Sequence, residues 1–346
     1  MTDSPAHLSN SVYKTFVLLS LLCTSYANII IPKQFLRDNA YYEQRIGSKT
    51  SGYNDSFQVI VDLYKFLQIE KSNMGTRIAS WLVFYIALAI VRSKFSKKFN
   101  SLRAESISII YLIFIPFYGS QFSKEFLVII LLIVTLLALN MIPDKKNLIV
   151  LVIFQLAIAI VIRQYYFITV IATFFFILLR TRSKLIKLLA PILVIAVGAF
   201  VNLKTNFSEK LFNVNLFEIR NVINANSVIK ANTMIFQDPY TTNIFENFLN
   251  YIKVIGRIIF PVNVFNWTIY SYGIFLTSII LSSLIIVPYF QKKLNTMFEP
   301  SFLIAYFFTA TIFEPDLGSF SRHTFIYLLL VLRIIYLSNS KNLLTR

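Results

Sequence analysis

Charge is scarce in this sequence, and cysteine and histidine are scarcer still. Only 14% of its 346 residues are Asp, Glu, Lys or Arg, while 56% are hydrophobic and the mean hydropathy is +0.65. A soluble domain carries roughly a quarter of its residues as charges and cannot hide this much apolar surface. Cys23 is the one cysteine, set within an apolar run, so an internal disulfide and a multi-thiolate metal site are excluded. Leu22 stands where a lipoprotein signal needs a small residue before the cysteine. His7 and His323 are the only histidines, which argues against a metal site built on imidazoles. Glycine is sparse too, with 8 residues against 34 phenylalanines, a bias that suits lipid-facing and interfacial positions.

What the chain has instead is a succession of uncharged apolar runs, read here as segments near the length needed to cross a hydrocarbon core. They predict an all-α fold, a polytopic transmembrane helix bundle of about ten spans with two longer extracytoplasmic loops. The runs lie near Ser11–Ile31, Arg77–Val91, Ser106–Tyr118, Glu125–Met141, Leu148–Ile162, Tyr165–Leu179, Leu185–Val201, Thr268–Pro288, Ser301–Phe313 and Thr324–Leu337. No repeat, Pro-rich linker or low-complexity stretch divides the chain, so 1–346 reads as a single integral membrane domain. The third run is short and carries Pro116, and is expected to tilt, kink or lie partly in the interface. A further stretch, Tyr251 to Phe265, is interrupted by Lys253, Gly256, Arg257 and Pro261 and reads as a re-entrant or interfacial segment. Ser25-Tyr26-Ala27 resembles a signal-peptide cleavage site, but the apolar run continues through Ile29, Ile30 and Ile31. An uncleaved first helix is expected.

Lys and Arg outnumber Asp and Glu by 33 to 16, a formal net charge of +17. The distribution does not describe a nucleic-acid-binding face, and no nucleic-acid partner is expected. Basic residues fall in short connections: Arg92, Lys94, Lys97, Lys98 and Arg103; Lys145 and Lys146; Arg180, Arg182, Lys184 and Lys187; Lys292 and Lys293; Lys341 and Arg346. Short basic connections mark the cytoplasmic side, so the expected location is a bacterial inner membrane, multi-pass, with both termini cytoplasmic. The opposite side holds a first periplasmic loop, residues 32–75, and a second, residues 202–250. Most acidic residues lie there, including Asp38, Glu43, Asp55, Glu125, Glu209, Glu218, Glu314 and Asp316. Long loops of mixed charge are where a membrane protein builds a site for a polar substrate. Phe212, Leu216, Ile219 and Ile223 share one helical face in the second loop, and Ile60, Leu63 and Leu67 do so in the first.

Four polar clusters fall on that side or at its rim: Arg37-Asp38-Asn39-Ala40-Tyr41-Tyr42, Ser123-Lys124-Glu125, Arg163-Gln164-Tyr165-Tyr166, and Glu314 through Gly318-Ser319 to Arg322-His323. Arg163 is placed against the topological bias, and a guanidinium fork matches two phosphate oxygens. It reads either as a pyrophosphate clamp or as an arginine snorkelling to lipid headgroups. Gly318-Ser319 allows a tight turn that would aim Arg322 and His323 into a cavity; His323 would then carry protons near neutral pH. Against this stand a capping role for Ser321 and a plain interfacial role for the cations. Lys124 and Glu125 read either as site residues or as an exposed ion pair at a helix start. Asp38, Glu43, Glu209 and Glu246 read more simply as solvated or paired. Arg220 and Arg257 would add positive potential over an anionic lipid head. Tyr41-Tyr42 and Tyr165-Tyr166 suit both a membrane interface and stacking on sugar rings.

This arrangement resembles the Wzy-type O-antigen and capsular polysaccharide polymerases, in particular their EpsG-like branch. The resemblance rests on many spans, two unequal outer loops, Ser123-Lys124-Glu125 before a long apolar helix, Arg163 followed by tyrosines, and Gly318-Ser319 ahead of Arg322-His323. It implies transfer of a growing glycan from undecaprenyl pyrophosphate onto an incoming lipid-linked oligosaccharide repeat unit, within the bilayer. A chain-length regulator and a flippase of the same pathway are the protein partners it implies. Such chemistry needs cations on the leaving pyrophosphate and a base near the acceptor hydroxyl. Arg163 and Arg322 would take the pyrophosphate, with Arg220, Arg257, Lys124, Arg37, Tyr41 and Tyr165 as further substrate contacts. Glu125, Asp38, Glu314 and His323 are candidate bases. Nothing in the sequence demands a metal or other cofactor, since a fixed guanidinium stabilises the same developing charge. The rival readings are a lipid-linked oligosaccharide flippase, a polyprenyl-phosphate-dependent glycosyltransferase, an O-acyltransferase and a structural membrane subunit. A flippase needs ionisable groups through the depth of its spans, and here the notable charges gather at one face, with Arg333 the main exception.

Overall fold

A computed structural model of the protein describes residues 10–31, 42–46, 56–95, 102–120, 123–143, 146–162, 166–180, 192–193, 243–260, 269–291, 294, 297–313 and 317–344. Every described element is helical. In chain order they are α1 (Asn10–Ser25), α2 (Ala27–Ile30), α3 (Ser56–Phe66), α4 (Met74–Phe95), α5 (Leu102–Phe114), α6 (Glu125–Met141), α7 (Asn147–Val161), α8 (Tyr166–Arg180), α9 (Ile244–Ile259), α10 (Ile269–Phe290), α11 (Glu299–Phe313), α12 (Leu317–Thr324) and α13 (Leu328–Leu344). A π-helical turn, Ile115–Gly119, extends α5, and a 3-10 turn, Phe325–Tyr327, joins α12 to α13.

The expectation of about ten spans is corrected here. Among the described residues three helical segments are long and apolar enough to cross a membrane: Met74–Ser93, Leu102–Gly119 and Leu317–Ser338. The chain is a multi-pass helical membrane protein with these three candidate spans. The reason lies in helix length rather than hydropathy. A hydrocarbon core is about 30 Å thick, and α7, with 15 residues, reaches only about 22 Å at 1.5 Å per residue. The apolar stretches Ser11–Ser25, Glu125–Met141 and Tyr166–Arg180 fall short in the same way. The run at Leu185–Val201 lies almost wholly outside the described residues. The third run, read as short, instead belongs to one of the three full-length segments, because the π turn carries the helix through Pro116 to Gly119.

The chain divides into two compact units, Met1–Phe167 with Phe325–Arg346, and Ile168–Thr324. In the first, α1 packs on α4 and α5, α4 on α6, α6 on α7, and α13 on α4 and α5. Hydroxyls inside these apolar helices satisfy themselves on the preceding turn, as Thr24 does on Ser20 O and Ser108 on Ala104 O. Ser20 does more: its hydroxyl donates to Leu112 O at 2.7 Å and accepts Trp81 Nε1 at 3.0 Å, tying α1, α4 and α5 together. Phe325 fills the centre, with Phe84, Tyr111 and Tyr118 at ring-centroid distances of 5.5, 5.7 and 5.3 Å. At one end Arg92 grips Glu105 with two hydrogen bonds of 2.9 and 3.1 Å and lies 3.8 Å over the Tyr13 ring. Tyr336 of α13 is within electrostatic reach of the same pair, so both terminal helices meet the α4–α5 connection there.

In the second unit α10 packs against α9, α11 and α12, and α11 against α9 and α12. Phe176 of α8 stacks on Phe308 at 5.9 Å and meets Tyr289 edge-on at 5.3 Å. Arg180, buried in the last turn of α8, faces Glu299 and Tyr289 electrostatically.

Candidate functional site

The first unit carries a polar cluster at the end opposite Arg92, where α4 and α6 begin. Asn73 caps α4: its side chain accepts from Thr76 N at 2.9 Å while Thr76 Oγ1 accepts from Asn73 N at 3.0 Å. This reciprocal cap fixes the first turn and sets Arg77 immediately after it. One turn further, the Ser80 hydroxyl donates to Gly119 O. The approach is tight: a Cβ on Gly119 would stand 3.0 Å from the Phe84 ring and 3.2 Å from the Ile115 side chain, which would have to give by a few tenths of an ångström. The end of the α5 segment is thereby pinned to the start of α4, and the chain reaches Ser123-Lys124-Glu125 within a few residues.

All three of those residues are buried, Lys124 at 7% exposure and Glu125 at 2%, which overturns the reading of Lys124 and Glu125 as an exposed pair. Glu125 opens α6, where the helix dipole favours a carboxylate. Over them lies α3, the amphipathic helix expected in the first loop, although its buried face is Ile60, Val61 and Tyr64, not Ile60, Leu63 and Leu67. Tyr64 is the joint. Its hydroxyl is hydrogen-bonded to the backbone of Ser123, and burial pushes it well above the usual tyrosine range. Its ring meets Tyr42 at 6.4 Å and Phe126 at 6.3 Å. Gln68, at φ 55°, turns the chain out of α3, and Ile69 N returns to Tyr64 O at 2.8 Å, the left-handed ending of many helices. Glu43 accepts from Ser72 N at 2.7 Å, holding the loop before α4.

Arg77 is the residue that sequence reasoning missed. It is 7% exposed, and among the described residues its Nε and Nη1 find no hydrogen-bond acceptor. Buried donors left unsatisfied are costly, which makes Arg77 a candidate for contact with an anion. As the first residue of an apolar run, it passed for the boundary of a span. The signal available was that a cation at the start of a span expected to begin on the non-cytoplasmic side runs against the topological bias, as it does for Arg163.

The other expected site residues divide as follows. Arg37, Asp38, Tyr41, Arg163, Tyr165, Arg220 and Glu314 lie outside the described residues. Arg257, Arg322 and His323 belong to the second unit, on α9 and α12. The turn expected at Gly318-Ser319 is helix, since α12 runs unbroken from Leu317 to Thr324. Ser321 sits inside that helix and caps nothing. His323 is buried, with Nε2 3.1 Å from Ser319 Oγ one turn back; Arg322 is half-buried. Among the described residues no three of His, Cys, Asp and Glu come together in a way that would hold a metal ion.

Family models, curated proteins and solved structures offer no match. The site's own chemistry is what remains. Arg77, Lys124 and Glu125 are all buried at the end of one helical unit where α4 and α6 begin. Groups of this kind offer donors to an anion and an acceptor for a proton.

Proposed function

We propose that this protein is a membrane glycan polymerase of the Wzy type. In this reading it transfers a growing glycan from undecaprenyl pyrophosphate onto a lipid-linked oligosaccharide repeat unit. The observation that carries the reading is the buried Arg77, whose Nε and Nη1 find no acceptor among the described residues, at the end of the unit that also buries Lys124 and Glu125. The basic α4–α5 connection, with Arg92, Lys94, Lys97, Lys98 and Arg103, is assigned to the cytoplasm. Tyr13 and Tyr336 gather beside Arg92, which supports cytoplasmic termini and an external face for the Arg77 end.

In the proposed step, the acceptor sugar hydroxyl attacks the anomeric carbon of the donor glycan. The bond from that carbon to the pyrophosphate oxygen breaks, and the bonding pair leaves with undecaprenyl pyrophosphate. Arg77 and Lys124 stabilise the charge on the departing pyrophosphate, where fixed donors in a dry site act most strongly. Glu125 takes the acceptor hydroxyl proton. Arg77 and Lys124 join the pyrophosphate ligands expected from the sequence, of which Arg163 lies outside the described residues and Arg322 in the second unit.

The test is deletion of the gene, followed by gel analysis of surface glycan. The expected result is single repeat units in place of a ladder, restored by the wild-type gene and not by Arg77→Ala. A normal ladder in the deletion strain overturns the proposal.

A further inference from the structure

The α9 helix has three distinct sides. Tyr251, Val254 and Ile258 are buried against the bundle, and the Tyr251 hydroxyl is fixed 3.2 Å from Phe308 O and 2.9 Å from Thr311 Oγ1. On another side Phe245 is 63% exposed and Leu249 and Ile252 each 42%, an exposed i, i+4, i+7 apolar stripe. Between the two runs a polar strip, Glu246, Asn250, Lys253 and Arg257. At 100° per residue these four fall within about 60° of one another. The strip therefore extends the length of the helix.

A helix crossing the membrane would drag such a strip through hydrocarbon, where charged side chains are strongly disfavoured. A helix lying in the interface plane keeps the strip at the headgroups and the apolar stripe in the acyl chains. Tyr251, near the middle of α9, is held to Phe308 and Thr311 of α11, which fixes the buried side of α9 and leaves the stripe facing away. Both cations sit in the C-terminal half of α9, where the helix dipole favours positive charge, while its one acid opens the first turn.

From this we infer that α9 lies along the membrane surface and that Lys253 and Arg257 bind the anionic phosphate headgroups of bilayer lipids. The occupant of its exposed stripe is lipid, because the stripe and the cationic strip are set side by side as acyl chain and headgroup are. The inference is independent of the polymerase reading, which concerns the other unit.

The experiment uses the full chain in vesicles of phosphatidylcholine mixed with phosphatidylglycerol. Spin labels are placed singly at Phe245, Leu249, Ile252 and Gly256, the last an open position with nothing within 4 Å of an added Cβ. Depth is read from collisions with oxygen and with a water-soluble nickel complex. All four labels are expected at one shallow depth with high oxygen access. Depth changing steadily along the helix, by about 16 Å from Phe245 to Gly256, overturns the interfacial placement. Protection from both reagents overturns lipid as the occupant and indicates a protein partner or a second copy. A second arm compares phosphatidylglycerol retained by wild type, Lys253→Gln and Arg257→Gln. The preference over phosphatidylcholine should fall about fivefold for each cation removed; an unchanged preference overturns the headgroup assignment.

Discussion

Replacing Arg77 with methionine makes stability and function move in opposite directions if the guanidinium is present for a ligand. In the free protein its Nε and Nη1 have no acceptor among the described residues, and each unsatisfied buried donor costs about 1–3 kcal/mol. Methionine keeps most of the apolar stem and removes the donors and the charge. Exchanging a poorly compensated buried charge for a hydrophobe of similar size is neutral or stabilising by about 1–4 kcal/mol. Some of that gain is lost to imperfect packing, so Arg77→Met should be more stable by about 1–3 kcal/mol. Thermal unfolding in detergent can follow this through Trp81, which lies one turn along α4, stacks on Tyr85 at 4.9 Å and donates to Ser20. The same variant should form no glycan ladder. A loss of stability would show that Arg77 serves the fold, and the reasoning about its role would fail with it.

Three further outcomes are expected. Breaking the Arg92–Glu105 pair with Arg92→Ala or Glu105→Gln should each destabilise by about 2–4 kcal/mol, and a double-mutant cycle should show coupling of about 1–3 kcal/mol; additive effects would remove the pair as a fixed joint. Tyr64, whose hydroxyl is raised by burial, contributes stability present below pH about 10 and lost as pH climbs through its raised value. Tyr64→Phe should therefore show a shallower alkaline loss of unfolding temperature than wild type, and equal slopes would count against the burial. Glu125→Gln should slow glycan transfer by about 100-fold or more with the unfolding temperature little changed; full activity in this variant would assign the base elsewhere.

The helical class and the membrane setting were legible in composition. The span count was not, because hydropathy measures how apolar a run is and not how long its helix continues. Asn147–Val161 is as apolar as any run here and ends after 15 residues, whereas the run holding Pro116 gains length from a π turn that no periodicity announces. Gly318-Ser319 looked like a turn from residue type alone. Leu317 and Phe320 are fully buried on α12, and their packing against α10 and α11 outweighs the weak helix propensity of glycine and serine. In α3 the register was off because Val61 and Tyr64, which meet the core, sit beside the positions that spacing favoured. Arg77 was hidden by its position, since a charge at the head of an apolar run looks like a boundary until its burial is known.

The most direct measurement is elongation by the purified protein in lipid nanodiscs supplied with undecaprenyl-pyrophosphate-linked repeat units. Products of two or more repeats, with one free undecaprenyl pyrophosphate released per bond formed, are the expected result. If every repeat unit stays on its own carrier while the same preparation moves those lipids across the bilayer of sealed vesicles, the protein is a transporter and the polymerase account is wrong.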